Sequence, residues 1–530
     1  MKFCIATILL LIAVIASGQN IWLRDAGGAP SEEITDLAAN NTELFSTGFF
    51  SQTVSIFGTP LASAGGSDVL VMKTGTDGSP IWTKRFGGPF NDRGTAIAAD
   101  AAGNSYVAGT FRGTAVFGSF SFTSQSADST DVFVMKLSSD GNVTWAVTCG
   151  GVNADEVNGI SVDGFGNVAI TGKFRGQSSF GASSLVSSNY WNSSIPSADA
   201  YIAKLDSNGQ WLWVKKATSD GDNAGIDVDF DASGNLFWTG NFSDTLTIDN
   251  TQELNFTGAG FLVKLNDVGA EQWFRYHNAA QLTVGRVRAS NDGHVYVAGS
   301  LVGQLALWNN GPQIFPLSYQ NNAYVLKYET NGSFEWQFQR GSESPIGVQG
   351  LSVGPTGEVY LGGTFNCMFD ELAEQEGEGS YFSTGYRDIF AFRISSAGQL
   401  SWNRHFGGPK DDYLYGLDVV ESNQVYVGGS YSGFLSIPRG DSFSTFPENN
   451  INLSDYEDFD EFELGLSSCA DPASILWLTV ESASLASNTR DLFIACIYNA
   501  SQPEYNVYTY DFACDESVVE HCIAEIGEFS

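Results

Sequence analysis

Asp131-Val-Phe-Val-Met-Lys136, a turn at Asp140-Gly141 and then Val143-Thr-Trp145 form the stretch of sequence that decides the fold. Two further pieces precede it, Gly94-Thr-Ala-Ile-Ala-Ala-Asp100 and Tyr106-Val-Ala-Gly-Thr-Phe111. In these pieces β-branched or aromatic residues alternate with small or polar ones, which is the period of two expected of β-strands. The whole stretch therefore predicts a unit of four strands that ends in a tryptophan strand.

The same unit recurs along the chain, and a tryptophan marks it every 60 to 68 residues. The third piece returns as Asp68-Val-Leu-Val-Met-Lys73 and the second as Val359-Tyr-Leu-Gly-Gly-Thr-Phe365. A fixed period with fixed punctuation indicates a repeat architecture. We interpret the repeated tryptophans as packing residues, with a sugar-stacking platform as the alternative; they are Trp22, Trp82, Trp145, Trp213, Trp273, Trp336 and Trp402.

A four-strand unit of this size cannot bury both of its faces alone, whereas stacking such units around an axis buries them and leaves short edges. The units resemble the bacterial seven-bladed β-propeller repeats of secreted and cell-surface proteins, the SBBP-type repeats, with their D-x-F-V-x-K, G-x-x-x-W and D-x-x-G-N-x-Y-V-x-G pieces. The resemblance covers roughly residues 20 to 465. It implies a fold but no catalytic residues, because propellers host many unrelated activities.

The predicted fold is all-β, a seven-bladed β-propeller of four-stranded blades. Seven inner strands are expected to begin near Glu33, Gly94, Gly159, Gly225, Gly285, Gly350 and Gly416. The Trp22 strand has no inner strand before it, so we expect it to close the ring as the outer strand of the last blade. The strand at Ile475-Leu-Trp477 is the competitor for that place.

Three segments make up the predicted domain organisation. Residues 1–18 resemble an export signal, because Lys2 precedes an apolar stretch and a small-residue cleavage site. Residues 19–466 form the propeller, and residues 467–530 form a small β-rich module that contains cysteine. In an exported chain these cysteines predict two disulfides of open connectivity, among Cys469, Cys496, Cys514 and Cys522.

The charge of the chain bears on its partners and its location. It carries 60 acidic and 25 basic side chains, a formal net charge of −35. A field of this sign repels nucleic acid and anionic lipid. The apolar stretch of the signal is too short to span a membrane. We therefore expect an extracellular or cell-surface protein without a nucleic-acid partner and without a membrane-spanning segment.

Acidic residues recur in the loop that leaves each tryptophan strand and enters the next inner strand. In a propeller these loops lie on one face, so the acids are expected to gather at one mouth of the central channel and to bind a basic group or a cation such as Ca²⁺. The alternative is that each carboxylate accepts hydrogen bonds from its own loop. The candidate residues are Glu32, Asp92, Asp155, Asp222 and Asp412.

Charged residues also interrupt two neighbouring inner strands. Asp227 and Asp229 lie on one face of the fourth strand, and Arg286 and Arg288 on one face of the fifth. We expect these charges to pair between adjacent blades. Otherwise the arginines form a local anion site.

A non-catalytic scaffold that binds a protein or glycan through one propeller face is the function that these patterns favour. No catalytic triad, phosphate-binding loop or histidine metal cluster is recognisable, and no cofactor is predicted apart from the possible Ca²⁺. The alternatives are a carbohydrate-active enzyme, a glycoside hydrolase or lyase with acids at the channel mouth, and a purely structural spacer.

Overall fold

A computed structural model gives the structure of the chain. It describes residues 22–26, 32–190, 193–219, 221–248, 254–308, 312–315, 320–342, 344–366, 368–369, 381–382, 387–407, 411–421, 424–431, 437–439, 442–444, 461–465, 477–481 and 491–498. The predicted export signal lies outside these ranges, as do Cys469, Cys514 and Cys522. The export signal and the disulfides therefore stay predictions.

Every regular element in the described ranges is a β-strand. The first four repeats contain, in the order inner, second, third and outer strand, β2 (Glu32–Ala39), β3 (Glu43–Ile56), β4 (Thr59–Gly75) and β5 (Pro80–Phe86); β6 (Arg93–Ala99), β7 (Ser105–Phe111), β10 (Asp131–Leu137) and β11 (Val143–Gly151); β12 (Glu156–Val162), β13 (Val168–Arg175), β16 (Ala198–Leu205) and β17 (Trp211–Thr218); and β18 (Ala224–Phe230), β19 (Leu236–Ile248), β20 (Leu254–Leu265) and β21 (Glu271–Asn278).

Repeats 5 and 6 follow the same order. They contain β22 (Gln281–Ala289), β23 (His294–Val302), β26 (Asn321–Glu329) and β27 (Phe334–Ser342), then β28 (Ile346–Val353), β29 (Val359–Phe365), β32 (Asp388–Ile394) and β33 (Leu400–Phe406). Repeat 7 begins with β34 (Tyr413–Glu421) and β35 (Gln424–Tyr431). No helix long and apolar enough to cross a membrane occurs among the described residues.

Short additional strands lie between the second and third strands of most repeats. They are β8 (Thr114–Phe117), β9 (Phe120–Thr123), β14 (Gln177–Phe180), β15 (Ser183–Val186), β24 (Ala306–Trp308), β25 (Pro312–Ile314), β30 (Met368–Phe369), β31 (Tyr381–Phe382), β36 (Ile437–Arg439) and β37 (Ser442–Ser444). Each pair forms an antiparallel hairpin. In repeats 1 and 4 the second and third strands themselves extend into this region.

The hairpin of one repeat joins the outer strand of the preceding repeat. β14 pairs with β11, β24 with β21 and β30 with β27. In the same way the end of β19 pairs with β17. The outer edge of each of these preceding sheets is therefore covered by a backbone from the next repeat, which removes an exposed edge that could pair with another chain.

The prediction of seven separate four-stranded blades is wrong. The strands of the propeller form six blade sheets, and the largest has ten strands. The physical reason is the length of β19, whose 13 residues pair with β18 and β20 along one part and with β17 along another. This continuous strand joins repeats 3 and 4 into one sheet. The seven inner strands around the axis therefore belong to only six sheets.

The two ends of the described chain meet in the last sheet. Its strand order is β1-β40-β35-β34, where β1 is Trp22–Ala26 and β40 is Asp491–Tyr498. The N-terminal strand thus holds the outer place in this sheet. The Trp477 strand, β39 (Trp477–Glu481), pairs instead with β38 (Glu461–Gly465). Cys496 falls on β40, so the third strand of the last sheet comes from the segment predicted as a separate cysteine-containing module. Of that segment the structure describes only residues 477–481 and 491–498, so the module itself stays a prediction.

The apolar core lies between neighbouring sheets. Phe45 and Val71 of repeat 1, for example, belong to the same buried cluster as Val107, Phe133 and Met135 of repeat 2. Full burial of one such side chain contributes about 1.5–3 kcal/mol. The core therefore resists separation of one repeat from the next.

Antiparallel order gives the propeller two different faces. The turns from inner to second strand and from third to outer strand lie on one face, which we call the turn face. The hairpins and the loops that lead from an outer strand to the next inner strand lie on the other, which we call the hairpin face.

Candidate functional site

Five of the repeat tryptophans act between repeats on the turn face. The indole N–H of Trp145 donates to the Ser207 carbonyl of the next repeat at 3.1 Å, and that of Trp82 donates to the Ser139 carbonyl at 2.9 Å. The same bond recurs at Trp213, Trp273 and Trp336. These contacts support the packing interpretation over a sugar platform, because the polar edge of the indole is already bound within the protein.

The Asp-x-x-Gly-Asn turns are closed by their own aspartates. Asp100 accepts hydrogen bonds from the backbone N–H groups of Ala102 and Asn104 and from the Asn104 side chain. Asp163 and Asp231 accept equivalent bonds. Glycine supplies the positive φ that the turn requires, +80° at Gly103. These aspartates are structural.

Two of the predicted loop acids are buried within their own loops. Asp92 accepts the N–H of Gly88 at 2.6 Å and the N–H of Arg112 at 3.1 Å. Asp155 accepts the N–H of Gly151 at 2.7 Å and the hydroxyl of Ser178. Burial raises the pKa of Asp92 to about 6 and that of Asp155 to about 7. The bonds from Gly88 and Gly151 support the alternative interpretation of these loop acids, in which each carboxylate accepts hydrogen bonds from its own loop.

Asp222 differs from the other acids because it is exposed. Its side chain binds Arg175 at 2.7 Å and Tyr190 at 2.7 Å. Burial acts to raise the pKa of Asp222, but hydrogen bonds from the Ala198 N–H, Tyr190 and Arg175 outweigh it and lower the pKa. The buried place in this loop belongs to the next residue, Asn223, whose N–H donates to the Ala198 carbonyl as that of Asp92 does to Ser67.

The remaining acids predicted for the channel mouth, Glu32 and Asp412, are buried as well. The Asp412 N–H donates to the Arg387 carbonyl and so occupies the same place as Asp92 and Asp155. The described ranges contain no group of three or more His, Cys, Asp or Glu side chains that could hold a metal ion. The proposed role of these residues in ligand binding remains a prediction.

A second set of buried acids was not singled out from the sequence as functional. Asp131 and Asp199 lie at the start of the third strands and Asp68 at the matching position within β4, and each accepts a hydrogen bond from a backbone N–H that precedes it in the chain. The Oδ1 atom of each of the three has no hydrogen-bond partner. A methyl group built on Gly87 would lie 2.9 Å from Asp68 Oδ1 and 2.7 Å from Asp92 Oδ2, so the two carboxylates converge. The sequence feature that could have identified these acids is the aspartate at the first position of the D-x-F-V-x-K motif.

The charges of the inner strands form a cluster around the axis. Arg288 binds Asp227 at 2.7 Å, which is the predicted pairing between neighbouring repeats. Arg286 behaves differently, because it lies 3.5 Å from Asp36 in repeat 1 and donates to the Tyr415 carbonyl of repeat 7 at 3.2 Å. Arg286 therefore links strands that are not neighbours in the ring.

The acids of this axial cluster also fasten adjacent inner strands. Asp36 accepts the N–H of Ile97 at 2.9 Å, and Asp227 accepts the N–H of Val287 at 3.0 Å. Burial raises the pKa of Asp36 to about 6, although Arg286 opposes the rise. These contacts do not favour an anion site at the arginines, because carboxylates already surround them.

One cavity of about 270 Å³ opens beside this cluster on the turn face. Arg288, Asp292 and Ser352 are among its lining residues. The wall mixes polar and apolar groups and contains no cluster of catalytic type among the residues described.

Most of the exposed large apolar side chains among the described residues lie on the hairpin face. Phe90 and Val152 lie in loops that lead to inner strands, and Val116, Val186, Ile195 and Ile314 lie in or beside the hairpins. On the turn face the exposed large apolar side chains of the described residues are Phe165 and Val268 in turns and Ile81 and Leu212 at the adjoining ends of outer strands.

Comparison with known proteins supports the repeat. A family profile described as "Beta-propeller repeat", SBBP, matches residues 81–110. The chain is 25% identical over 208 residues to a regulatory protein FlaEY of Caulobacter vibrioides, a match that covers 38% of this chain and 20% of that one. It is also 25% identical over 276 residues to an uncharacterized WD repeat-containing protein of Acanthamoeba polyphaga mimivirus, covering 43% and 19%. This chain thus spans about a fifth of the length of these two relatives.

Two solved structures show similarity of low identity. One is a protein of unknown function from Bacteroides caccae, at TM-score 0.32 and 10% identity, covering 69% of this chain and 93% of that one. The other is the WD40 domain of Pan2 from Neurospora crassa, at TM-score 0.33 and 8% identity, covering 74% and 85%.

The segment that matches the family profile contains the outer strand of repeat 1 and most of the first two strands of repeat 2. The predicted resemblance is therefore confirmed, and residues 81–110 carry a β-propeller repeat of the SBBP family.

Proposed function

We propose that the protein is a non-catalytic scaffold, exported or at the cell surface, that binds a protein or glycan partner through its hairpin face. The observation that carries the proposal is the difference between the two faces. On the turn face the connections are tight turns closed by hydrogen bonds within the turn, whereas on the hairpin face they are long and differ from one repeat to the next. Variable loops on a rigid frame are where proteins place their binding residues.

The exposed apolar side chains support the same face. Phe90 is 43% exposed, Val152 65% and Ile195 63%, although each belongs to a segment fixed by hydrogen bonds. Apolar groups held rigidly in water lose little entropy when a partner covers them. The net charge of −35 adds a preference for a partner with a basic or neutral surface.

A binding experiment with matched variants tests the proposal. The purified protein is applied to a glycan array and to an array of extracellular proteins, with calcium and then with chelator. Val152→Asp and Ile195→Asp on the hairpin face are expected to reduce any signal at least tenfold, which corresponds to about 1.4 kcal/mol. Phe165→Asp and Val268→Asp on the turn face are the controls and should leave it unchanged.

The outcome also separates the alternatives. Loss of binding in the turn-face variants alone would contradict the choice of face. Turnover of a glycan by the wild type would contradict the non-catalytic role, and absence of binding on both arrays would favour a structural spacer.

A further inference from the structure

Asp131 and Asp155 form a buried acid pair between repeats 2 and 3. Asp131 is 4% exposed and begins the third strand of repeat 2, while Asp155 is 2% exposed and lies in the loop that enters repeat 3. Asp131 Oδ2 accepts the N–H of Gln125 at 2.9 Å, but its Oδ1 has no hydrogen-bond partner. Burial raises the pKa of Asp155 to about 7, and the negative charge of Asp131 adds to the rise.

No positive side chain of the described residues balances this pair. The ionisable groups that face it are Cys149 of β11 and Tyr201 of β16, and Glu156 of β12 lies near Tyr201. Arg175 reaches Asp155 through its backbone N–H alone, because its guanidinium group binds Asp222 and Tyr190. Lys173 is held by Glu156 at 3.1 Å.

The equivalent acids of the neighbouring repeats do have a positive side chain nearby. Asp68 forms an ion pair with Arg85, and although burial raises the pKa of Asp199 to about 6, the positive charge of Lys216 opposes the rise. The position of Arg85, three residues after the repeat tryptophan, is occupied in repeat 2 by Thr148. The pair in repeat 2 is thus distinguished by uncompensated charge.

A proton fits this site better than a metal ion does. Calcium takes six to eight oxygen ligands at 2.3–2.6 Å, whereas a methyl group built on Gly150 would already lie 2.6 Å from Asp131 Cγ. A proton needs one acceptor and no added space. The hydroxyl of Ser178, which binds Asp155 Oδ1, can accept a hydrogen bond from the protonated carboxyl as readily as it donates one to the ionised form.

We propose that Asp131 and Asp155 together hold one proton in the folded protein at neutral pH, and that loss of this proton loosens the junction between repeats 2 and 3. Asp155 binds Gly151 at the end of β11 and Ser178 on β14, so the pair lies where the hairpin of repeat 3 joins the sheet of repeat 2. Two unbalanced charges there repel each other and favour local opening. The junction is then a pH-sensitive joint.

The direction of the pH effect follows from the acid pair. A carboxyl whose pKa is raised on folding binds its proton more tightly in the folded than in the unfolded state. The stabilisation is complete below the unfolded pKa of about 4 and is lost as the pH rises to about 7. The midpoint of thermal unfolding should therefore fall between about pH 4 and pH 7 and level off above.

The protein itself supplies a matched pair of variants. Asn223 occupies in repeat 3 the place that Asp155 occupies in repeat 2, so an amide is compatible with this loop. Asp155→Asn removes the acid pair of repeat 2, and Asn223→Asp creates a second pair with Asp199. The first variant should flatten the fall of the unfolding midpoint with pH, and the second should steepen it.

A local measurement distinguishes the joint from the other buried acids. Cys149 is a buried free thiol on β11 next to the pair. Its labelling by a thiol reagent is followed by peptide mass spectrometry and divided by the labelling of denatured protein at the same pH, which removes the pH dependence of the thiol itself. In the wild type this ratio should still rise between about pH 6 and pH 7, by up to about tenfold, as expected for loss of one proton, and in Asp155→Asn it should level off above about pH 6, because burial raises the pKa of the remaining Asp131 only to about 6.

Two results would overturn the proposal. One is equal pH dependence of the unfolding midpoint and of Cys149 labelling in the wild type and Asp155→Asn. The other is a rise of the wild-type midpoint at pH 8 on addition of millimolar calcium that Asp155→Asn does not show, because the pair would then be a cation site.

Discussion

Trp145 holds two repeats together with its ring and with one hydrogen bond. It is 9% exposed, and a methyl group built on Gly209 of the next repeat would lie 2.8 Å from the indole. Trp145→Phe keeps an aromatic ring but loses the bond to the Ser207 carbonyl. We expect the free energy of unfolding to fall by about 1–3 kcal/mol, measured by chemical denaturation.

Leu212→Ala on a neighbouring outer strand is the control for Trp145→Phe. Leu212 is 53% exposed, so its truncation should change the free energy of unfolding by less than about 0.5 kcal/mol. An equally small effect of Trp145→Phe would contradict the packing role of Trp145 and would favour the alternative, in which the tryptophan stacks on a sugar.

Single residues were predicted best where one motif fixes both partners of a contact. The Asp100 turn is local, and its pattern was sufficient. Asp222 lies in the predicted loop, but the buried place there belongs to Asn223, and the sequence alone does not show which of the two neighbours is buried. Asp131 was assigned only to a strand, since its neighbour Asp155 is 24 residues away and the two share no motif.

At the scale of strands, Gly151, the second of two glycines that follow Trp145 after four residues, makes room for the hairpin of the next repeat. A methyl group on Gly151 would lie 1.9 Å from the Gln177 carbonyl oxygen on β14. Gly151→Ala must therefore displace β14 from β11. We expect a loss of about 1–3 kcal/mol in the free energy of unfolding and faster amide hydrogen exchange in 177–186.

Gly164→Ala is the matched control for that substitution. Gly164 has open space around its Cα, and its φ is not in the left-handed region. The substitution should be neutral or slightly stabilising. If Gly151→Ala were as mild, β14 would not depend on the close approach of the two backbones.

Strand positions could be predicted from the sequence because alternation and tryptophan spacing are local signals. The pairing of one repeat's hairpin with the preceding outer strand could not, because the hairpins have no common motif and their partners belong to another repeat. The number of blades was predicted wrongly for the same reason, because it depends on a strand pairing between repeats. Nothing in the sequence of β19 indicates that its second half pairs with β17.

At the scale of the whole molecule, Arg286 connects parts of the ring that are far apart in sequence. It meets Asp36 from repeat 1 and the Tyr415 carbonyl from repeat 7, while its own strand belongs to repeat 5. Its side chain is 15% exposed, so the ion pair is largely shielded from water. The sequence suggested Asp227 or Asp229 as partners because those acids lie one repeat away, whereas Asp36 is 250 residues distant.

A double-mutant cycle measures what this link contributes. Arg286→Met leaves Asp36 buried without its positive neighbour and should lower the free energy of unfolding by about 3–5 kcal/mol. Adding Asp36→Asn removes the unpaired charge, so the double variant should be more stable than Arg286→Met alone, with a coupling of about 1–3 kcal/mol.

The pH dependence of the single variant gives an independent measure of the same link. Arg286 opposes the rise that burial causes in the pKa of Asp36, from 3.8 to about 6. In Arg286→Met that pKa should rise further, so the destabilisation should be small near pH 4 and grow until the pH exceeds the new value. Equal destabilisation at both ends of this range would mean that Arg286 acts through its contact with the Tyr415 carbonyl, and that the ring is held across its axis by a hydrogen bond and not by charge.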